Sequence, residues 1–301
     1  MVQCPSSQLS LRFGGESEGE RRLDVSVMKA PAVEYVRPNS LTEAVDLLAR
    51  HPGEARVIAG GQSLVAMMNL RVVSPGLLID ISRLPELCSV SDEAETVAIG
   101  ACVTHAAIED GKAADPSRGL MPRVAAGLAY RAIRTRGTIG GSLALADPAA
   151  EWPAVLTALD TEVVVCGPRG LRSIRCTEFT TGVFETTLAA DEIIESLRIP
   201  KLSEEARWGY LKLCRKAGEF ANALAVAVID RARGYSRAVL GVANGAPLVL
   251  DHTSQLLADR ANEARNAVAA DLDRAVNRHF DDFQRNLHTV AAMRAVHQVL
   301  Q

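Results

Sequence analysis

The chain has 301 residues, of which 48% are hydrophobic and 23% charged, and its formal net charge is -3. This length can bury a sizeable core and suggests two or three domains, and the composition is ordinary for a globular protein. A charge this close to neutrality gives no reason to expect nucleic acid or an anionic membrane as a partner. No apolar run reaches the roughly 20 residues that span a bilayer, and no basic-then-apolar leader opens the chain. We therefore expect a cytoplasmic protein without a membrane span.

The start of the chain differs from the rest. Residues 1–27 are polar, contain Gly14-Gly15 and lack periodicity, a pattern typical of a loose N-terminal extension. The folded part is predicted to begin near Met28, which is either the true start or the point where an extension ends.

Residues 28–84 form the first predicted subdomain. Ser40 and Glu43 have the spacing of a capping box, which predicts a helix that starts just after Ser40. Two short apolar runs, at 56–59 and 77–81, predict buried strands. The apolar stripe of the predicted helix consists of Leu41, Val45 and Leu48.

Residues 85–205 form a second predicted subdomain, and residues 206–301 a smaller C-terminal α+β domain. In the second subdomain we predict strands at 97–99, 162–166 and 193–199 and a helix around 124–128. In the C-terminal domain we predict a three-stranded antiparallel sheet, with strands at 208–213, 224–229 and 238–242, and then helices. The apolar stripe of those helices is Leu256, Ala264, Val268, Leu272 and Val276.

Two glycine pairs are the most informative stretches of the chain. The first pair lies in loop 1, made up of Ala59, Gly60, Gly61, Gln62, Ser63 and Leu64, and the second in loop 2, made up of Thr138, Ile139, Gly140, Gly141 and Ser142. A Gly-Gly pair lets consecutive amides turn inward without a Cβ in the way, and the serine hydroxyl after it can donate to a phosphate oxygen. For either loop alone, a tight turn is the favoured interpretation. Together, they could hold both phosphates of a dinucleotide.

The loops and their flanking sequence resemble one family. The resemblance is carried by PAVEYVRP at 31–38, by AGGQSL at 59–64 with LIDI at 78–81, and by RGTIGGSLALADPAAEWPA at 136–154. It extends from about Met28 to the end of the chain and is looser after about residue 200. On these motifs the chain is identified as a member of the FAD-binding medium subunits of the molybdenum hydroxylases, which include carbon monoxide dehydrogenase, xanthine dehydrogenase and quinoline oxidoreductase.

The resemblance implies a fold and a set of FAD contacts. The implied fold is α+β, a vanillyl-alcohol-oxidase-type FAD-binding fold of two subdomains with the C-terminal domain added. Loops 1 and 2 would carry the FAD pyrophosphate, and Glu151 stands where the family has an acid toward the ribose and adenine end. Lys212 would lie near the isoalloxazine ring, and Ile194 would present its backbone to the ring. Asp147, next to Pro148, is equally a cofactor residue and a turn residue.

The cysteines and histidines do not form a metal-binding pattern. The six cysteines are scattered without the spacing of an iron–sulfur cluster or a zinc site, so we expect free thiols. The six histidines show no repeated ligand spacing, and we name no catalytic or metal-binding residue. No G-x-G-x-x-G motif marks an ordinary nicotinamide-binding domain. The resemblance therefore implies that the [2Fe-2S] clusters and the molybdenum cofactor belong to partner chains, a small iron–sulfur subunit and a large molybdenum-binding subunit.

The implied function is that of an oxidoreductase subunit that is not active on an organic substrate alone. It would take electrons from the iron–sulfur partner onto FAD and pass them to an external acceptor. The substrate of such a complex would be an N-heteroaromatic compound, carbon monoxide or an aldehyde. Two alternatives stay open: a stand-alone FAD oxidoreductase of the same fold, which would need its own acid–base pair, and a flavin-free nucleotide-binding or scaffold protein.

Overall fold

The structure is a computed structural model that describes residues 29–243, 245–275 and 280–301. The predicted N-terminal extension lies outside the described residues. Three sheets with helices packed on them account for most of the architecture. Among the helices that are described, none is long and apolar enough to cross a membrane.

The first unit is built on a parallel three-stranded sheet in the order β1-β3-β2. The carboxyl ends of parallel strands meet at one edge, which is where open α/β sheets bind ligands, and β2 runs into loop 1 at that edge. The strands predicted at 56–59 and 77–81 are confirmed within one residue. The elements are β1 (Glu34–Val36), α1 (Leu41–Arg50), β2 (Ala55–Ile58), α2 (Leu64–Asn69), β3 (Leu77–Asp80) and α3 (Pro85–Cys88).

The predicted cap of α1 is confirmed in one half and shifted in the other. The Ser40 hydroxyl accepts a hydrogen bond from the Glu43 N–H at 3.1 Å. The Glu43 carboxylate accepts from the N–H of Asn39 at 2.8 Å, one residue before the cap. Both exposed N–H groups are thus satisfied, as a capping box requires, with the second bond displaced by one position.

The second unit is an antiparallel five-stranded sheet in the order β4-β5-β10-β6-β7, with a small hairpin, β8-β9, beside it. Its strands are β4 (Val90–Asp92), β5 (Thr96–Gly100), β6 (Glu162–Gly167), β7 (Gly170–Arg175), β8 (Thr180–Gly182), β9 (Glu185–Thr186) and β10 (Ile193–Pro200). Its helices are α4 (His105–Glu109), α5 (Leu120–Ala126), α6 (Arg131–Arg134), α7 (Ile139–Leu145), α8 (Glu151–Ala158) and α9 (Cys176–Phe179). Loop 2 forms the N-terminal turn of α7.

The C-terminal unit has a four-stranded antiparallel sheet, so the prediction of three strands was wrong. The fourth strand, β14, follows Pro247 and has only two residues. A strand of this length is too short to show an alternating pattern. The elements are β11 (Arg207–Leu213), β12 (Ala223–Asp230), β13 (Tyr235–Gly241), β14 (Leu248–Val249), α10 (Asp251–Leu257), α11 (Ala261–Arg274) and α12 (Asp282–Val299).

The predicted helical stripe is largely confirmed. Ala264, Val268 and Leu272 are buried on α11, but the stripe on α10 uses Leu257 and leaves Leu256 half-buried. Helix α10 ends before α11 begins, so a single helical period does not run through both. Val276 lies outside the described residues.

The C-terminal sheet is a middle layer. Strand β12 is buried along its whole length: Leu224, Val226 and Val228 join the core that contains α8, while Ala225 and Ala227 face the core of α10, α11 and α12. A strand buried on both faces reads as a continuous apolar run, as this one does.

We predict that Gly209→Ala lowers the free energy of unfolding by about 1–3 kcal/mol, the usual cost of overpacking. A Cβ at Gly209 would lie 1.9 Å from the carbonyl oxygen of Ala295, so α12 would have to move away from β11. Gly76→Ala is the matched control, because the nearest atom to its Cβ is 4.0 Å away. Equal urea midpoints for both variants would contradict the close packing of α12 on β11.

Candidate functional site

The two glycine loops, predicted to act together, are in contact. A Cβ on Gly60 would lie 2.1 Å from the carbonyl oxygen of Arg136, two residues before loop 2. A Cβ on Gly141 would lie 3.9 Å from the Cβ of Ala59. Glycine at position 60 is therefore required for the close approach of one loop to the other, independently of any ligand.

Loop 1 offers a row of backbone donors. Within the described residues, none of the N–H groups from Gly60 to Leu64 donates to a protein acceptor. Gly61 has φ +72°, the left-handed conformation that helps successive N–H groups face one side. The hydroxyl of Ser63 is exposed and also makes no hydrogen bond to the described protein. An anion with several oxygen atoms is the ligand that such a row of donors fits.

Loop 2 uses its donors to hold itself in place. The N–H of Ile139 donates to Val103 at 3.1 Å, and that of Gly140 to Ala101 at 3.0 Å. The N–H of Gly141 donates to the Thr138 hydroxyl at 3.1 Å, and the N–H of Ser142 is bonded within the same turn. Among the described residues, the loop 2 groups without a protein hydrogen bond are the N–H of Thr138 and the hydroxyl of Ser142, whereas its other amides are occupied. The assignment of both loops to a cofactor stays a prediction.

His105 braces loop 2 from behind. Its backbone N–H donates to the carbonyl of Gly137 at 3.0 Å, and its ring Nδ1 accepts from the indole N–H of Trp152 at 3.1 Å. Burial, with a smaller contribution from Arg134, lowers the pKa of His105 to about 4. The sequence did not predict this role because His105 and Trp152, whose rings are hydrogen-bonded, are far apart in the chain.

Glu151 and Lys212 form a buried ion pair. Their Oε1 and Nζ atoms are 2.6 Å apart, and the two side chains are 5% and 9% exposed. Glu151 is the first residue of α8, and Lys212 also donates to the carbonyl of Gly127 at 3.2 Å. Burial raises the pKa of Glu151, and the neighbouring ammonium partly opposes that rise. These residues were predicted at opposite ends of FAD. Since they touch, they can approach only one part of an extended cofactor.

Tyr210 is a polar residue of this site that the sequence analysis did not single out. It lies two residues before Lys212 on β11, so both side chains point to the same face of the sheet. Its hydroxyl is buried and has no hydrogen-bond partner among the described residues. Burial, together with the charge of Glu151, raises its pKa. The alternation along β11 was the signal that could have found it.

The remaining predicted residues occupy defined positions. The Asp147 carboxylate accepts from the N–H of Ala149 at 2.9 Å, which is the turn geometry expected before Pro148. Ile194 is 3% exposed and lies at a bulge in β10. A cofactor role for Asp147 and Ile194 stays a prediction. In the described part of the chain, no cluster of three or more His, Cys, Asp or Glu side chains could hold a metal ion.

Comparison with known proteins defines the class. The family model described as "FAD binding domain in molybdopterin dehydrogenase" matches residues 31–202. Caffeine dehydrogenase subunit beta of Pseudomonas sp. (strain CBB1) is 36% identical over 237 residues, which are 77% of this chain and 80% of that protein. The carbon monoxide dehydrogenase medium chain of Hydrogenophaga pseudoflava is 34% identical over 271 residues, 88% of this chain and 94% of that one.

A solved structure agrees with these relatives. A chain of carbon monoxide dehydrogenase from Hydrogenophaga pseudoflava, in a form lacking the Mo-pyranopterin moiety of its molybdenum cofactor, superposes with a TM-score of 0.83 at 30% identity. The match covers 91% of this chain and 99% of that chain. The fold is thus the mixed α/β fold of that subunit. The chain belongs to the FAD-binding family of the molybdopterin dehydrogenases, which confirms the resemblance, FAD as the cofactor and the oxidoreductase class.

We predict that His105 makes the stability of the chain pH-dependent. The unfolded histidine binds a proton near its ordinary pKa of about 6.5, whereas the folded one does so only near 4. Between these values the unfolded state binds more protons, so stability falls as the pH falls from 6.5 to 4. The loss should be on the order of 3 kcal/mol.

The control is His105→Gln, whose amide oxygen can still accept from Trp152 but does not titrate. Urea unfolding of both proteins at several pH values, followed by tryptophan fluorescence, measures the difference. Parallel stability curves across that pH window would show that His105 is not buried in its neutral form.

Proposed function

We propose that this chain binds one FAD non-covalently and is the electron-transfer subunit of a heteromeric molybdenum hydroxylase. The observation that carries the proposal is the row of unpaired N–H groups in loop 1, held against loop 2, in a chain of the FAD-binding family. FAD would supply reversible two-electron storage with release in single steps. The protein would bind the cofactor, orient it and set its electrostatic surroundings.

The residues present fit the pyrophosphate of FAD. The N–H groups of Gly60 to Leu64 would donate to phosphate oxygens, and the hydroxyls of Ser63 and Ser142 lie on the two loops where they could add to them. These donors are neutral, so they bind the anion without a neutralising cation. The vanillyl-alcohol-oxidase-type description of the fold, with subdomains at 28–84 and 85–205 and a C-terminal domain at 206–301, is part of this proposal.

Lys212 would place a positive charge beside the cofactor. In the structure its ammonium is compensated by Glu151, so an approaching negative group competes with that carboxylate for the same cation. The unpaired hydroxyl of Tyr210, on the same face of β11, is a donor that Glu151 could use in place of Lys212. The site can therefore give a cation to a ligand without leaving a buried carboxylate unpartnered.

The relatives suggest the setting. Caffeine dehydrogenase subunit beta and the carbon monoxide dehydrogenase medium chain carry names of subunits of larger dehydrogenases. We propose that this chain likewise receives electrons from a small iron–sulfur subunit, that a large subunit holds the molybdenum cofactor, and that an external acceptor takes the electrons from FAD. An N-heteroaromatic compound, carbon monoxide or an aldehyde would be oxidised on the large subunit.

The function is tested by assembling the chain with its partner subunits. We predict that the complex contains flavin and reduces a dye with the substrate of the large subunit, whereas the chain alone does not turn over that substrate. Gly60→Ala should lose flavin from the complex because its Cβ would push loop 1 from loop 2, and Gly76→Ala should retain it. Turnover of organic substrate by the chain alone, or full flavin content in the Gly60 variant, would contradict the proposal.

The Glu151–Lys212 pair gives a second test, the reduction potential of the bound flavin. If the pair lies beside the flavin ring, Lys212→Met should lower the potential and Glu151→Gln should raise it, because reduction adds negative charge to the ring. A unit charge at ~4 Å contributes on the order of 1–4 kcal/mol, which a redox titration resolves readily. The double variant, with neither charge, should return close to the wild-type potential.

The same variants distinguish the two ends of the cofactor. If the pair lies beside the ribose instead, both substitutions should weaken FAD binding and leave the potential unchanged. Binding measured by flavin fluorescence separates these cases. Variants that change neither the potential nor the affinity would show that the pair is structural.

A further inference from the structure

Two cysteines that are distant in sequence are neighbours in the structure. Cys88 ends α3, and Cys102 lies two residues after β5. The N–H of Cys102 donates to the carbonyl of Leu87 at 2.8 Å, so its backbone adjoins the peptide bond between Leu87 and Cys88. A disulfide requires Cα atoms about 4.4–6.8 Å apart, and directly hydrogen-bonded backbones are separated by distances of this order.

The two thiols also point toward the same segment. The Cys88 Sγ donates to the carbonyl of Ser82 at 3.4 Å, and the Cys102 Sγ donates to the carbonyl of Ile81 at 3.5 Å. Because Ile81 and Ser82 are consecutive, the two thiols donate to the carbonyls of adjacent peptide units in one short segment. The two thiols are close enough to each other that the charge of Cys88 contributes to the raised pKa of Cys102.

We propose that Cys88 and Cys102 form a reversible intramolecular disulfide when the chain meets a hydroperoxide. The Cys88 thiolate attacks the peroxide oxygen, which breaks the O–O bond, releases an alcohol or water and leaves a sulfenic acid. The Cys102 sulfur then attacks the Cys88 sulfur and displaces water. Two thiols lose two hydrogens and two electrons in total, and the hydroperoxide is reduced by the same two electrons.

The order of the two steps follows from exposure. Cys88 is exposed, whereas Cys102 is 4% exposed. Burial raises the pKa of Cys102 to about 12, and burial together with Glu86 raises that of Cys88. Cys88 is therefore the thiol that an oxidant reaches, and Cys102 is the resolving thiol. The raised pKa values make the reaction slower than that of a dedicated peroxide sensor.

The disulfide would form beside a residue that holds loop 2 in place. Residue 101, next to Cys102, provides the carbonyl that accepts from the N–H of Gly140 at 3.0 Å. A disulfide would close a loop that contains β4 and β5 and would restrict that segment in the unfolded chain. The oxidised protein should therefore have a higher melting temperature than the reduced one.

The test uses the full chain, reduced and then treated with hydrogen peroxide. Trypsin should release residues 84–112 as a single peptide that contains both cysteines, because Arg83 precedes it and Lys112 ends it. After blocking of free thiols, we expect this peptide to carry no blocking group and to be lighter by two hydrogens. Dithiothreitol should restore both thiols and the lower melting temperature.

Three variants complete the experiment. Cys88→Ser should leave Cys102 fully blockable after peroxide treatment and abolish the difference in melting temperature, and Cys102→Ser should leave Cys88 as a sulfenic acid that dimedone labels. Cys214→Ser, which removes a half-buried thiol elsewhere, should behave as the wild type. A peptide 84–112 that keeps both blocking groups while Cys214 is oxidised would overturn the proposal, and so would a bond from either cysteine to a third one. The wild-type measurement decides the matter even if a serine variant fails to fold.

Discussion

Helix α8 is the element on which the arrangement of the site depends. All eight of its residues, from Glu151 to Ala158, are buried, so each polar group on it needs a partner inside the protein. Glu151 finds Lys212 on the C-terminal sheet, and the indole of Trp152 finds His105 behind loop 2. Helix α8 therefore connects β11, which carries Lys212, to loop 2 and to the main core. The contacts are needed because a buried polar group without a partner is costly.

The ion pair at the N-terminus of α8 contributes little net stability by itself. Bringing two charges out of water costs about as much as their attraction returns, while removing one partner of such a pair typically costs about 3–5 kcal/mol. An apolar pair would hold α8 against β11 at least as well. In the function proposed above, the Glu151–Lys212 pair adds a buried cation that a ligand could share, and the Tyr210 hydroxyl has no hydrogen-bond partner among the described residues.

Local sequence patterns predicted much of the fold, whereas the contacts that make the site depend on long-range packing. The buried strands and the Ser40 cap are encoded within a few residues, so they could be predicted nearly to the residue. The four-stranded form of the C-terminal sheet could not, because β14 owes its pairing to β13 and not to its own sequence. Likewise, the free amides of loop 1 and the occupied ones of loop 2 look alike in sequence. They differ because Ala101, Val103 and the capping residue Thr138 supply acceptors to loop 2 only.

The two-sided burial of β12 affects how such a chain can be recombined. The family model ends at residue 202, yet the side chains of Leu224, Val226 and Val228 complete the core in which α8 lies. A crossover near residue 202 between two relatives would therefore join halves whose apolar surfaces had not been selected together. For relatives about one-third identical to this chain, we expect a functional chimera to need α8 and β12 from the same parent.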